Sequence, residues 1–310
     1  MILCMNLNAA IDKTLIVPSF ELNKIHRPQS AILLAGGKGV NVGRALKTLG
    51  ETPVVSGWVG GFAGQFIERE LQREGIQTDF IHTDFESRTC TSILDPDNGT
   101  LTEVYEVGEP IPLEKVDQLR DHFRAIIGNY KAVTLSGSLP AGVPSDFYAD
   151  LVEIAGEAGV LTFFDSSGDA LRQGVEARPF LIKPNETEAK TLLKVEPNHV
   201  LDFTRAAVEI STKHATTVML SLGANGAVAA NGQQVFSVKN PSVKAKSAVG
   251  SGDCLLAGLA YGFTHGLSFE DAIRCGIAAG SANTLTIGAG QFKFEDYERL
   301  RGQVQIDKVA

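Results

Sequence analysis

The residues able to do chemistry in this 310-residue chain gather around four turns, three of them rich in glycine. Ala248-Val249-Gly250-Ser251-Gly252-Asp253-Cys254 runs straight into Leu255-Leu256-Ala257-Gly258-Leu259-Ala260-Tyr261, so a turn without bulky side chains feeds an apolar helix. Amides left free at such a helix start attract negative charge and can stabilise a phosphoryl group during its transfer. Asp253 could act there as a base, or it could simply cap the helix. Ser251 is no hydrolase nucleophile, because glycines are missing at both of its second-neighbour positions.

Gly36-Gly37-Lys38-Gly39-Val40-Asn41-Val42-Gly43 is a second bare stretch of backbone opening a helix. It is not a Walker A loop, since Gly39 stands where Ser or Thr should hold magnesium, and it lacks the third glycine of GxGxxG. Lys38 and Asn41 can present donors to a polar or anionic ligand, or the stretch can be a glycine turn bearing a surface lysine. In Lys183-Pro184-Asn185-Glu186-Thr187-Glu188, Asn185 and Glu188 lie three apart at a helix start. They can order magnesium-bound water or phosphate, or form a reciprocal cap, and the two roles are compatible. Ser221-Leu222-Gly223-Ala224-Asn225-Gly226 either borders a nucleotide or makes a tight turn.

The elements that must position these turns follow from periodicity. Short apolar runs at 1–7, 53–59, 131–135, 160–165, 179–182 and 216–222 read as strands. Helical patterns at about 39–49, 62–74, 113–128, 145–158, 185–194 and 202–214 lie between them, the alternation of a parallel sheet covered on both faces. A hairpin at 226–238 and Gly- and Ala-rich helices at 252–265 and 269–287 complete the C-terminal third. Segments 11–34 and 89–107 break the alternation with strand-like stretches, the second folded at Asp97-Asn98-Gly99. Too small for a core of their own, they must cover the main body or pair with another subunit.

Composition narrows the function classes. Lys+Arg 28 against Asp+Glu 36 gives a net charge of −8, which argues against nucleic acid as a partner and makes any anion site local. Charged residues at 21% and apolar residues at 44% suit a folded globular chain. No basic segment precedes the apolar residues of MILCMNLNAAIDK, and no run of about 18 apolar residues occurs, so no membrane association is expected and the cytoplasm is the expected location. The four cysteines and six histidines are scattered without metal-ligand spacing and read as packing or surface residues.

Taken in order, GGKGVNVGRALKTLG, KPNETE, SLGANG and AVGSGDCLLAGLAYG resemble the PfkB (ribokinase-like) carbohydrate kinase family over essentially the whole chain. The resemblance implies an α/β fold: a ribokinase-like three-layer α/β/α sandwich with a mostly parallel central sheet. Residues 1–310 then form one kinase unit whose lid, a small β-sheet, is built from about 11–34 and 89–107. It implies ATP as phosphoryl donor and Mg2+ as cofactor. By the same resemblance Asp253 is the catalytic base, and Gly250, Ser251 and Gly252 supply the anion-hole amides, with Ser251 in place of the usual alanine. Lys183 and Asn185 match residues beside the ATP phosphates, Glu188 handles magnesium through water, Ser221, Gly223 and Gly226 line the nucleotide, and Asn283 lies where the family closes over the adenosine.

On the acceptor side Asp12 matches the aspartate that holds sugar hydroxyls, with Gly37, Lys38 and Asn41 nearby; Ala9 and Ala10 replace the family's usual proline. Arg27, Lys38 and Arg88, with Lys24 beside them, supply cations around this half of the site unless Arg27 and Arg88 are surface residues, and the Arg88 position and Ser138 within SGSLPAG resemble the phosphosugar branch of the family. A second phosphate requires paired cationic donors, which a neutral sugar does not. The expectation is therefore a kinase that converts a ketohexose monophosphate to the bisphosphate. Fructose 1-phosphate is the first choice, followed by tagatose 6-phosphate and fructose 6-phosphate. A kinase of an unphosphorylated sugar or nucleoside, and a non-catalytic sugar- or nucleotide-binding regulator, are the competing expectations. The resemblance also implies a homodimer clasped through the lids.

Overall fold

The computed structural model describes residues 1–196 and 200–309. In chain order the strands are β1 (Ile2–Asn6), β2 (Ala10–Ile16), β3 (Ser30–Gly36), β4 (Val54–Gly60), β5 (Gln77–Thr83), β6 (Arg88–Asp95), β7 (Thr100–Tyr105), β8 (Ala132–Ser136), β9 (Leu161–Asp165), β10 (Leu181–Ile182), β11 (Thr217–Ser221), β12 (Ala227–Ala230), β13 (Val235–Lys239) and β14 (Gln305–Lys308). The helices are α1 (Lys38–Thr48), α2 (Gly61–Arg73), α3 (Leu113–Ile126), α4 (Phe147–Glu157), α5 (Gly168–Glu176), α6 (Glu186–Leu193), α7 (Phe203–His214), α8 (Ser251–Thr264), α9 (Phe269–Asn283) and α10 (Phe294–Arg301).

Ten strands form one sheet in the order β14-β13-β12-β11-β10-β9-β8-β1-β4-β5. Pairing is parallel from β5 through to β11 and antiparallel across β11, β12, β13 and β14. Successive side chains of a strand point to opposite faces, and the central strands use both. Ile2, Cys4 and Phe163 enter a core with α1, α2, α8 and α9, whereas Leu3, Met5 and Phe164 enter a second core with α3, α4, α5 and α7. Burial on both faces is why these strands read as continuous apolar runs rather than alternating ones. The result is the expected three-layer α/β/α arrangement; the four free cysteines are all buried, Cys90 on β6.

A second sheet, ordered β3-β2-β6-β7, is made from the two segments that broke the alternation. It stands on the carboxyl ends of the main strands, because β3 leads directly into the Gly37 turn and α1. From β1 the chain builds β4 and β5 on one side and then crosses to β8 on the other, so strand order reverses between β1 and β8. Open α/β sheets bind ligands at the crevice formed by such a reversal.

Four elements went unread in the sequence: two edge strands, the last helix, and α5 (Gly168–Glu176), a short helix begun at a Gly168 of positive φ. Strand β5 (QTDFIHT) and strand β14 (QIDK) lie at the two edges of the main sheet, where polar residues interrupt the apolar pattern. Helix α10 is short, with mostly charged residues around buried Tyr297 and Leu300. The helix expected over 269–287 stops at Asn283, and no helix of the described residues is long and apolar enough to cross a membrane.

Candidate active site

The geometry of the site begins at the start of α8. Gly250 has φ +80°, a left-handed conformation that favours glycine, and a Cβ there would lie 2.7 Å from Ala289 Cα. Among the described residues the N–H groups of Gly250, Gly252 and Asp253 have no protein acceptor, while Cys254 N–H donates to Gly250 O. Ser251 departs from expectation. Its N–H donates to Ala248 O at 3.2 Å and its Oγ to the same oxygen at 2.6 Å, so the turn closes on itself there and Ser251 offers no free amide.

Asp253 is buried behind this turn, on the first turn of α8. Its Oδ2 accepts a hydrogen bond from Asn41 Nδ2 at 2.9 Å. Burial pushes its carboxyl up to about 6, helped by Asp165, while Lys38, Asn41 and Lys183 pull the other way. A carboxylate poised near neutral pH and still largely ionised is suited to accept a proton. Lys38 and Lys183 each stand 3.3 Å from Asp165 Oδ2. Asp165, 2% exposed at the end of β9, thus holds two lysines from opposite sides of the crevice. Burial alone would lower the Lys38 ammonium, but Asp165, Asp253 and Glu188 outweigh it and hold Lys38 above its ordinary value.

Beyond α8 lies a cleft of about 570 Å³ bordered by Ser221, Gly223, Gly226, Val243, Gly252 and Leu255. The turn Gly223–Asn225 and the first turn of α8 therefore face one another across this cleft. Gly226 has φ +92°, and any side chain there would overlap the Val238 carbonyl. Asn185 and Glu188 form a reciprocal cap: Asn185 Oδ1 accepts from Glu188 N–H, and Glu188 Oε2 accepts from Asn185 N–H, both at 2.9 Å. Asn283 does not lie over the cleft as expected. It is fully buried, with Nδ2 donating to Val249 O at 2.8 Å and Oδ1 accepting from Gln291 N–H at 3.2 Å. Local sequence placed it near the right helix end but gave no sign of which way that end faces.

The acceptor side is built on the small sheet. Asp12 packs against Gly36 so closely that any Cβ there would overlap its carboxylate, and Gly37 N–H donates to it. Gly37 has φ +107° and presses on Asn6, whose side chain donates to Gly36 O at 3.2 Å and accepts from Gly39 N–H at 3.1 Å. Burial raises the Asp12 carboxyl, with Arg44 and Arg88 opposing. Arg88 reaches Glu106 O at 3.2 Å and Asn8 O at 3.5 Å, and its buried Nε has no partner. Asn8 Nδ2 in turn donates to Ser138 Oγ at 3.2 Å, spanning the β1/β8 reversal. The structure thus groups Arg88, Asn8 and Ser138. It does not bring Arg27 or Lys24 to them: both are exposed on the loop between β2 and β3, without a hydrogen bond or ion pair to any described residue.

The model of the pfkB family of carbohydrate kinases matches residues 5–295. The chain belongs to the PfkB family. It is 33% identical over 312 residues to a tagatose-6-phosphate kinase of Staphylococcus epidermidis, with all of both chains covered. The structure of Escherichia coli phosphofructokinase-2 in complex with fructose-6-phosphate is similar with a TM-score of 0.88 at 25% identity, over 97% of this chain and 98% of that one. A possible 1-phosphofructokinase from Thermotoga maritima matches with a TM-score of 0.88 at 25% identity over the full length of both. The protein is accordingly a carbohydrate kinase of PfkB type, a phosphotransferase with a sugar hydroxyl as acceptor and ATP as donor.

Membership does not make every residue of the site readable from motifs. Asp165, Asn6, Asn8 and Arg44 escaped the sequence reading. Asp165 and Asn6 end or close apolar strand runs, where one polar residue looks like the strand's boundary. Asn8 follows in the turn after β1. Arg44 lies inside α1, buried against Glu74. The signal available was position alone, since polar residues at the carboxyl ends of central strands face the crevice.

Proposed function

We propose that this kinase transfers the γ-phosphate of ATP to a primary hydroxyl of a ketohexose monophosphate, giving the bisphosphate. The observation that carries this reading is Arg88, whose buried Nε–H lacks an acceptor beside Asn8 and Ser138. An unsatisfied buried donor costs roughly 1–3 kcal/mol, and a phosphate oxygen on the acceptor would relieve it with a charge-assisted hydrogen bond stronger than one to a sugar hydroxyl. Sequence alone put fructose 1-phosphate first. The full-length likeness to tagatose-6-phosphate kinase now favours tagatose 6-phosphate, phosphorylated at O1, with fructose 6-phosphate and fructose 1-phosphate next.

In this reading Asp12 orients the sugar hydroxyls beside Gly37 and Asn41. Asp253 takes the proton of the attacking hydroxyl as its oxygen bonds to the γ-phosphorus, and the bond to the bridging oxygen breaks so that ADP leaves. The N–H groups of Gly250, Gly252 and Asp253 receive the developing charge, and Lys38 and Lys183, held by Asp165, flank it. Ser221, Gly223 and Gly226 line the nucleotide. Among the described residues no cluster of three metal-ligating side chains exists. That suits magnesium, which keeps several waters and takes few carboxylates. Glu188, steadied by Asn185 and raised by burial, would hold it through water. When bound, the ion would offset charge on the ATP phosphates.

The small sheet serves as the lid of one 1–310 unit, excluding water from the transfer. Leu22, Ile25, Val104 and Tyr105 are exposed on or beside it, which suits pairing of lids in a homodimer. An ADP-release assay with tagatose 6-phosphate, fructose 6-phosphate, fructose 1-phosphate, ribose and adenosine tests the reading. Turnover is expected with a ketohexose phosphate, and faster turnover of ribose or adenosine would overturn it.

A further inference from the structure

We infer that Asn283 is a positioning residue for phosphoryl transfer, fixing from behind the direction in which the Gly250 N–H points. The inference deepens the anion-hole role proposed above for the Gly250 turn and rests on it. Asn283 ends α9, is wholly buried, and joins three separate segments. Its Nδ2 donates to Val249 O at 2.8 Å, immediately before the turn. Its Oδ1 accepts from Gln291 N–H at 3.2 Å and from the Cys254 thiol at 3.4 Å. A carbonyl oxygen can only accept and a backbone N–H can only donate, so the carboxamide has a single satisfactory orientation.

Val249 C=O and Gly250 N–H belong to one planar trans peptide and therefore point in opposite directions. Tying the oxygen to Asn283 aims the N–H away from the core, where no protein atom accepts it. The 289–291 segment backs the turn as well, for Ala289 and Gly290 crowd the face where a Gly250 side chain would stand. Gln291, anchored to the same carboxamide, holds that segment in place. The amide is thus oriented before any phosphate arrives, which is the condition under which such donors stabilise developing charge without reorganising. A contact with adenosine would require an exposed atom, and Asn283 has none.

Asn283→Asp keeps the shape and the acceptor for Gln291 but removes the donor to Val249; Asn283→Ala serves if the aspartate is not tolerated. Each folded variant is compared with the parent for kcat, KM for ATP, affinity for Mg·ADP, and affinity for Mg·ADP with fluoroaluminate, a planar mimic of the moving phosphoryl group. The expected result is a fall in kcat of roughly tenfold to a hundredfold, smaller than for outright removal of a donor, with a matching loss of fluoroaluminate affinity. KM for ATP and affinity for Mg·ADP stay within about twofold, because the misaimed amide serves the transferring group and not the bound nucleotide. A variant that melts earlier yet retains parental kcat and fluoroaluminate affinity would overturn the inference. An equal loss for Mg·ADP would overturn it in favour of a nucleotide contact. If the parent phosphorylates no ketohexose phosphate, the fluoroaluminate measurement still decides this inference alone. A parent that gains no affinity from fluoroaluminate sinks the anion-hole role and the inference together.

Discussion

Asn41 Nδ2 lies 2.9 Å from Asp253 Oδ2, so the glycine-rich turn on the acceptor side reaches across 212 residues of chain to hold the base at the start of α8. The two motifs that looked most alike in sequence are thereby one device. The hydrogen bond stabilises the carboxylate against the burial that pushes it up to about 6.

Asp253→Asn should reduce kcat by about 10²–10⁴ while leaving ATP and sugar-phosphate binding intact, since it removes a proton acceptor and little volume. In the parent, activity should fall as pH drops through about 6, where Asp253 gains its proton. Asn41→Ala removes an interaction that lowers this value, so the acid limb of the kcat–pH profile should move to higher pH. An unmoved limb would show that another group titrates there.

Asp165 opposes Lys38 and Lys183 in setting that same limb. Lys38→Met should shift it upward, because a cation that favours the ionised base is lost. Asp165→Asn removes a like charge and should shift it downward, while freeing Lys38 and Lys183 from their shared 3.3 Å partner and lowering kcat. Shifts of opposite sign are the discriminating result, read from kcat at saturating substrates.

Arg88→Ala should raise KM for the ketohexose phosphate roughly tenfold to a hundredfold, as for loss of one charge-assisted hydrogen bond. KM for ATP should be unchanged, because Arg88 stands at the Asn8–Ser138 crevice and not at the 570 Å³ cleft. Steady-state kinetics with each substrate varied in turn would refute the phosphate clamp if both values moved together.

Arg44 predicts a stability effect distinct from chemistry. Its buried guanidinium meets the Glu74 carboxylate at 2.6 and 2.8 Å and donates to Ala35 O at 2.6 Å, bolting α1 to the end of α2 and to β3. Glu74→Leu leaves that charge buried without its partner and should destabilise the fold by about 3 kcal/mol. Replacing both residues with apolar ones of similar volume should recover much of it, as measured by chemical denaturation.

Sequence alone determined the alternation of strands and helices, the small sheet as an exception to it, and the four turns in the order that marks the family. These are local properties: apolar period, glycines where the backbone turns left-handed at Gly37, Gly226 and Gly250, and polar caps such as Asn185 with Glu188. Edge strands β5 and β14 escaped because only one flank of each is covered by a neighbour, so their residues need not be continuously apolar. What tertiary structure alone decided is where each side chain of the site ends. It turned Asn283 from an expected adenosine contact into a buried brace, used Ser251 N–H to close its own turn, left Arg27 apart from Arg88, and made Asp165 the shared partner of two lysines. The physical reason is that these destinations depend on which strand ends converge at the β1/β8 reversal. That convergence is set by sheet order across the whole chain, and no window of neighbouring residues contains it.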